Sequence, residues 1–419
     1  MKKLLCFICL GLFFASCNDK DEPDPTPTPD PKANRTVVVY MSAENNLSLF
    51  AGRDITEITL GSKTLSEDNN LIVYVDRAKE SGMEVGEELP TILKIEAGKS
   101  TVIKRYDTDF ISSDPERMTE VLELIARDYP AKSYGLVLWS HAQGWCIEND
   151  SVAVASNSNL RRAFGRDTGN NTADAQNNGK WINIPTLAKV LEHLSFRFNY
   201  IFADCCNMSN AETAYELRKA TDYLVASPAE IPANGAPYDK LLPYLFSNDI
   251  PQAYNSIVDT YADSYRNKMP LVVIQMNQME QLANATSVIL STLEPTADKD
   301  FKLYRNANGL MYYDGLNTER VCVLYDMNDF LLQNATTDNY NQWKLSFDRA
   351  VTYKRYASEW TSNGHVNFNL FTPSEVKFGG MSMYIPQTFY NASSYSRNYN
   401  ATYPQMQWYW AIGWNKYGW

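Results

Sequence analysis

Tyr134-Gly135-Leu136-Val137-Leu138-Trp139 is an apolar run that passes without interruption into Ser140-His141-Ala142-Gln143-Gly144-Trp145, a polar turn holding a histidine. The run lacks polar alternation, which predicts a strand buried on both faces. Runs of the same kind recur at Thr36-Val37-Val38-Val39-Tyr40, Leu71-Ile72-Val73-Tyr74-Val75, Tyr200-Ile201-Phe202-Ala203, Tyr223-Leu224-Val225-Ala226 and Leu271-Val272-Val273-Ile274. Helix-like stretches lie between several of them, at Pro115 to Asp128, Ile184 to Leu194 and Ala211 to Thr221. Strands alternating with helices predict an α/β fold, a mainly parallel sheet flanked by helices on both faces.

In open sheets of this type, ligands sit beyond the carboxyl ends of the strands, where loops converge. The residues placed there are Ser42-Ala43-Glu44-Asn45, Asp76-Arg77, Ser140 to Trp145, Asp204-Cys205-Cys206-Asn207, Ser227-Pro228-Ala229-Glu230 and Asn277-Gln278. One group holds a histidine and another a cysteine pair. If their strands are near neighbours, an imidazole and a thiol meet at one rim, and a cysteine nucleophile needs such a base to become thiolate at neutral pH. Ser209 and Glu212 have capping-box spacing, predicting a helix that starts just after the cysteines and whose positive end favours thiolate. Cys205 and Cys206 should point to opposite faces, and spacing alone does not choose between them.

Of the three histidines, His193 lies in an amphipathic helix and reads as a surface residue. His365 would give a nucleophile-first order, which usually places the cysteine near the mature N-terminus. His141 is the candidate base. Backbone N–H groups after it, with that of the nucleophile, suit an oxyanion pocket.

Taken together, these motifs resemble the clostripain-like cysteine peptidases, whose caspase-like fold uses a histidine followed by a cysteine. Their W-x-H-G-x-G-W is similar to Trp139 through Trp145, and their D-A-C-x-M to Asp204-Cys205-Cys206-Asn207-Met208. Further likeness lies in Tyr40 to Leu47, Ser113 to Glu116, Tyr129-Pro130-Ala131 and Gly380 to Pro386. The resemblance implies a cysteine endopeptidase in which His141 is general base and acid and Cys206 the nucleophile of a thioester acyl-enzyme. It implies oxyanion donors at Ala142 and Cys206, and a substrate pocket lined by Asp204 and Asn234, with cleavage after a basic residue. Ala142 departs from the family glycine, Cys205 from a small residue, and Asn234 and Ala236 from an acid and a tryptophan. Cys205 is then expected either to pair with its neighbour or to pack. A polar stretch between Cys146 and Ile182 contains Arg161, Arg162 and Arg166, candidate sites of maturation cleavage. The competing expectation is a catalytically silent caspase-like surface protein that binds peptides or a cell-surface partner.

The remaining features bound the setting. Lys2 and Lys3, the apolar run Leu4 to Phe14, and Ala15-Ser16-Cys17 have the layout of a lipoprotein leader over residues 1–16, with Cys17 lipidated. The acidic residues after Cys17 resemble signals that place lipoproteins outside the outer membrane. A proline-rich tether spans 17–34, a catalytic domain is expected over 35–280, and a C-terminal α/β region packed on it over 281–419. The net charge of −11 argues against nucleic acid as a partner. The expected partners are a protein or peptide substrate and the membrane, reached through Cys17. No cofactor is expected: once Cys6 and Cys9 leave with the leader no CxxC pair remains for zinc, and with no EF-hand-type loop a calcium site is unassigned. The aromatic cluster Trp408, Tyr409, Trp410, Trp414, Tyr417 and Trp419 is expected to pack against the catalytic unit.

Overall fold

Successive residues of the central strands alternate between two cores. Val38, Tyr40, Ile72, Tyr74, Leu136 and Leu138 face one, while Val37, Val39, Leu71, Val73, Val137 and Trp139 face the other. This alternation is what an apolar run without polar gaps produces when both faces of a sheet are covered by helices. The computed structural model describes residues 33–147, 163–169, 179–293, 300–301, 309–313, 323–362, 365–366, 373–391 and 399–419. The leader, Cys17, the tether up to residue 32, Arg161, Arg162 and Cys322 lie outside them, and Ala33 and Asn34, expected in the tether, open the first strand.

The strands include β1 (Ala33–Ala43), β2 (Asn69–Arg77), β3 (Thr91–Glu96), β4 (Lys99–Arg105), β5 (Ala131–Trp139), β6 (Phe164–Asp167), β7 (Lys180–Ile182), β8 (Phe198–Asp204), β9 (Thr221–Ala226), β10 (Leu271–Gln275), β11 (Tyr325–Asp326) and β12 (Val351–Arg355). The main sheet has nine strands in the order β12-β10-β9-β8-β5-β1-β2-β3-β4. Its centre, β2-β1-β5-β8-β9, is parallel. The flanking pairs are antiparallel. This is the mixed, mostly parallel, helix-flanked sheet of the caspase-like fold.

All six apolar runs are strands of this sheet, but β10 runs antiparallel to β9. Its carboxyl end therefore points to the opposite rim, and Asn277-Gln278 does not join the other five strand ends. Helices α1 (Ser48–Gly61), α2 (Pro115–Asp128), α3 (Ile184–Glu192), α4 (Ala211–Leu217), α5 (Tyr238–Phe246), α6 (Gln252–Ser264) and α7 (Met279–Leu290) cover the faces. Helix α2 shows why the local prediction succeeds. Asp114 accepts the N–H groups of Glu116 and Arg117, Pro115 opens the helix, and Met118, Val121, Leu122 and Ile125 form its buried stripe.

Helix α4 departs from expectation. It ends at Leu217, and its cap is Asn210, whose side chain accepts the Thr213 N–H. The capping box is not formed, because Ser209 Oγ–H donates to Gly380 O at 2.7 Å and Glu212 accepts the Tyr384 N–H at 2.8 Å and the Tyr403 hydroxyl at 2.8 Å. A distant segment has claimed both side chains. The same C-terminal segment packs its aromatics onto the turn after β5: Trp145 lies 4.8 Å from Tyr384 and 5.1 Å from Tyr403, centroid to centroid. Trp408 and Trp414 are fully buried, and Trp410 alone of the cluster's tryptophans is largely exposed.

Candidate active site

Strands β5 and β8 are adjacent and parallel, with Trp139 opposite Asp204 at the last paired position. Neighbouring strands lie about 4.8 Å apart, and His141 and Cys206 each follow that position by two residues. Their turns touch. Gly144 has φ 63°, and a Cβ there would lie 2.5 Å from Asn207 O and 2.4 Å from Asn210 Nδ2, so only glycine allows this approach. Asn207 has φ 59° and donates its N–H to Ala229 O, turning the chain sharply after Cys206.

The histidine turn is held on its other side by β6. The Gln143 N–H donates to Ala163 O at 2.9 Å and the Gly165 N–H to His141 O at 3.1 Å. Ala142 faces Phe164 between these two bonds, as a narrow antiparallel bridge. In that pattern its own N–H points away from β6, and among the described residues it has no acceptor. Ala142 is not among the described residues of positive φ, so the family glycine's replacement carries no backbone strain.

His141 Nε2 donates to Asn46 Oδ1 at 2.8 Å, which leaves Nδ1 as the basic nitrogen of the neutral ring. Trp181, on β7, lies 6.3 Å away, ring to ring. Desolvation, and secondarily the Arg166 guanidinium, push the imidazole pKa down to about 4. Arg166 itself belongs to β6, and its carbonyl accepts the Asn45 side-chain N–H at 2.7 Å.

The two cysteines have different surroundings. Cys205 is fully buried in the core, and burial, followed by the neighbouring Cys206 and Asp204, pushes its thiol well above the ordinary value. It is a free thiol. Cys206 is half-buried, and its sulfur accepts the Ile231 N–H at 3.4 Å. His193 is exposed at the end of α3, its ring turned onto Lys189 O, and the His365 backbone lies in a short strand pair with Thr361-Ser362.

Below the rim, Asp204 is buried with three donors: the Ala236 N–H at 3.0 Å and the hydroxyls of Tyr238 at 2.7 Å and Tyr261 at 2.8 Å. Desolvation raises its pKa, against those hydrogen bonds. Asp54, from α1, accepts the Trp139 indole N–H at 2.7 Å. Burial, then the repulsion of Asp204, lifts Asp54 to about 9. Gly235 lies between the two acids, where a Cβ would come within 2.4 Å of Asp54 Oδ2 and 3.1 Å of Asp204 Oδ2. The segment from Glu230 to Tyr238 thus touches both the sulfur of Cys206 and the carboxylate of Asp204, with Asn234 exposed at its bend. Asn46, Asp54 and Trp181 were not singled out from sequence. Asn46 adjoins a strand end already marked by the rim rule, whereas Asp54 and Trp181 reach the site only through packing.

The family model described as Clostripain family, peptidase family C11, matches residues 39–419. Among solved structures, a secreted C11 cysteine protease from Bacteroides thetaiotaomicron in complex with an irreversible peptide inhibitor is similar at 27% identity. That match covers 92% of this chain and 100% of the other, with a TM-score of 0.71. An inactive zymogen C11 protease from Parabacteroides distasonis is 25% identical over 92% of this chain and 99% of the other, with a TM-score of 0.72. A secreted C11 cysteine protease from Bacteroides thetaiotaomicron, iotapain, shares the fold at 22% identity, 92% and 100% coverage and a TM-score of 0.71. No curated protein matches in sequence.

Proposed function

This chain belongs to the clostripain family of cysteine peptidases, and from that premise we propose that Cys206 and His141 form its catalytic dyad. The observation that carries the reading is the register of β5 on β8, which sets both residues two positions beyond one paired site. His141 Nδ1 takes the thiol proton, and the Cys206 thiolate attacks the substrate carbonyl carbon. The N–H groups of Ala142 and Cys206 receive the oxyanion. As the tetrahedral adduct collapses, the imidazolium protonates the leaving amine, and a thioester remains on Cys206. Water, deprotonated by His141, then cleaves the thioester and restores the thiol.

Cleavage after a basic residue is the specificity we infer. Asp54 and Asp204 are both buried on either side of Gly235, and a charged Asp204 makes Asp54 harder to ionise. A cationic side chain entering beside Gly235 would neutralise that repulsion, with Asn234 at the mouth. Asp204 also anchors the loop through Ala236, Tyr238 and Tyr261. For maturation we propose a cut at Arg161 or Arg162. Arg166 is the less suitable of the three, because β6 holds its backbone. The relatives described as secreted, together with the Cys17 leader pattern, support an extracytoplasmic enzyme anchored to the outer membrane by a lipid on Cys17. Among the described residues no helix is long and apolar enough to cross a membrane.

An irreversible thiol-reactive peptide probe tests the dyad. Wild type and Cys205→Ala should be labelled, while Cys206→Ala and His141→Ala should not. Undiminished labelling of folded Cys206→Ala would remove Cys206 as nucleophile. A panel of fluorogenic peptides varied at the residue before the scissile bond tests the specificity, with Arg and Lys expected to exceed Ala and Glu.

A further inference from the structure

The order of strand ends along the rim sets the direction in which a peptide crosses the site. Neighbours in the main sheet run β9, β8, β5, β1. Beyond β9 lies the loop from Glu230 to Tyr238, which touches the Cys206 sulfur through the Ile231 N–H and the Asp204 carboxylate through the Ala236 N–H. Cys206 stands beyond β8 and His141 beyond β5. The end of β1 carries the β6–β7 pair: the Asn45 side-chain N–H donates to Arg166 O at 2.7 Å, and a Cβ on Gly165 would lie 3.5 Å from Ser42 Oγ.

Trp181 belongs to this pair. Its backbone is fixed on both sides, since Lys180 O accepts the Ser113 hydroxyl at 3.1 Å and Ile182 is buried opposite Phe164. The indole itself is only half-buried, with its ring 6.3 Å from the imidazole of His141 at a tilt of 40°, and the neighbouring Asn46 is exposed. A large apolar surface thus stands open beside the histidine, on the side away from Cys206.

The inference rests on the His141–Cys206 reading given above. If the loop beyond β9 receives the side chain before the scissile bond, the leaving half of the peptide runs the other way, over β5 toward β1. His141 has to reach the leaving amine within hydrogen-bond distance to protonate it. The side chain of the residue that carries this amine then comes within contact of a ring centred 6.3 Å from the imidazole. We propose that Trp181 is a specificity-determining residue that receives the first side chain of the leaving half and selects an aromatic or large aliphatic group there. Such groups pack on an indole face or edge and remove it from water. Arg166, close enough to His141 to act on its charge, opposes a cationic side chain in the same place.

The test is hydrolysis of peptides that share the best residue before the cut and differ only in the first residue after it, Phe, Leu, Ala, Glu or Lys. Mass spectrometry locates the cut, and rates are expressed per Cys206 labelled by the irreversible probe. Ratios of kcat/KM within one enzyme cancel any general loss of activity. In wild type, Phe and Leu should exceed Ala by about tenfold, with Lys the poorest. Trp181→Ala should reduce the Phe to Ala ratio to about twofold or less, and Trp181→Phe should retain most of it. Trp181→Glu should raise the Lys to Phe ratio at least about tenfold over wild type, which loosened packing alone would not do. If Trp181→Ala does not fold, Trp181→Glu read against Trp181→Phe gives the same decision. Ratios unchanged in the folded variants would overturn the proposal and leave the dyad standing. So would a shift of the acid limb that is equal for every peptide, the mark of an indole that only desolvates His141. Hydrolysis that persists in Cys206→Ala would remove the dyad and this inference with it.

Discussion

Trp139 and Asp204 stand opposite each other at the last paired position of β5 and β8, and their side chains meet the same buried group of residues. The indole of Trp139 donates to Asp54, which lies beside Gly235, and Gly235 in turn lies beside Asp204. The level at which the two strands end is thus tied to the loop that contacts Cys206. Altering any of these contacts should move the reactive residues relative to one another.

At Gly144 the two turns approach too closely to admit a Cβ. Gly144→Ala adds a Cβ within 2.5 Å of Asn207 O at a φ of 63°. The variant should lose about 1–3 kcal/mol of stability. A displacement of the histidine turn of about 1 Å should lower kcat/KM by about 100-fold. Urea unfolding and peptide hydrolysis measure the two effects, and Ala142→Gly, which meets no such contact, should show neither.

Asn46 is a positioning residue. By accepting the Nε2 proton of His141 at 2.8 Å it selects the tautomer whose Nδ1 is basic. Asn46→Ala should reduce kcat about tenfold with KM little changed. Asn46→Asp retains an acceptor but adds a negative charge beside the ring, so the acid limb of its kcat/KM profile should move to higher pH. A purely structural role would leave that limb in place.

Arg166 acts on the same ring with the opposite sign. The imidazole pKa of about 4 lies below its ordinary value, first through desolvation and then through this guanidinium. Arg166→Met should therefore raise it and shift the acid limb upward. Because the folded pKa is depressed, the unfolded chain binds the extra proton between about pH 4 and 6.5, and this histidine's contribution to stability increases with pH across that window. Histidine NMR titration of the folded enzyme checks the shift directly.

Asp54 has the reverse linkage. Its folded pKa of about 9 is far above the unfolded carboxylate value, so its contribution is greatest at low pH and is lost as pH rises from about 4 through about 9. Asp54→Asn should flatten the decline of melting temperature over that range. If the inferred specificity holds, it should also reduce hydrolysis after Arg and Lys more than after Ala.

Much of this was legible locally. The apolar runs identified six strands of the main sheet, Asp114-Pro115 announced the start of α2, and the polar turn after each strand marked the rim. The direction of β10 was not legible, because an apolar run looks the same whether its neighbour is parallel or antiparallel. The cap of α4 was misread for a related reason. Ser209 and Glu212 have the right spacing, but Gly380, Tyr384 and Tyr403 offer partners from far along the chain.

The chain by itself determined the alternation of strand and helix and the presence of His141 and a cysteine pair at strand ends, since these depend on side-chain period and turn chemistry over a few residues. Only the tertiary structure decided that Cys205 is buried while Cys206 is accessible, that Asn46 receives the imidazole proton, and that Asp54 crowds Asp204. Those outcomes depend on which segments, remote in sequence, exclude water from a group and which supply it with a hydrogen bond, and neither is fixed by neighbours along the polypeptide.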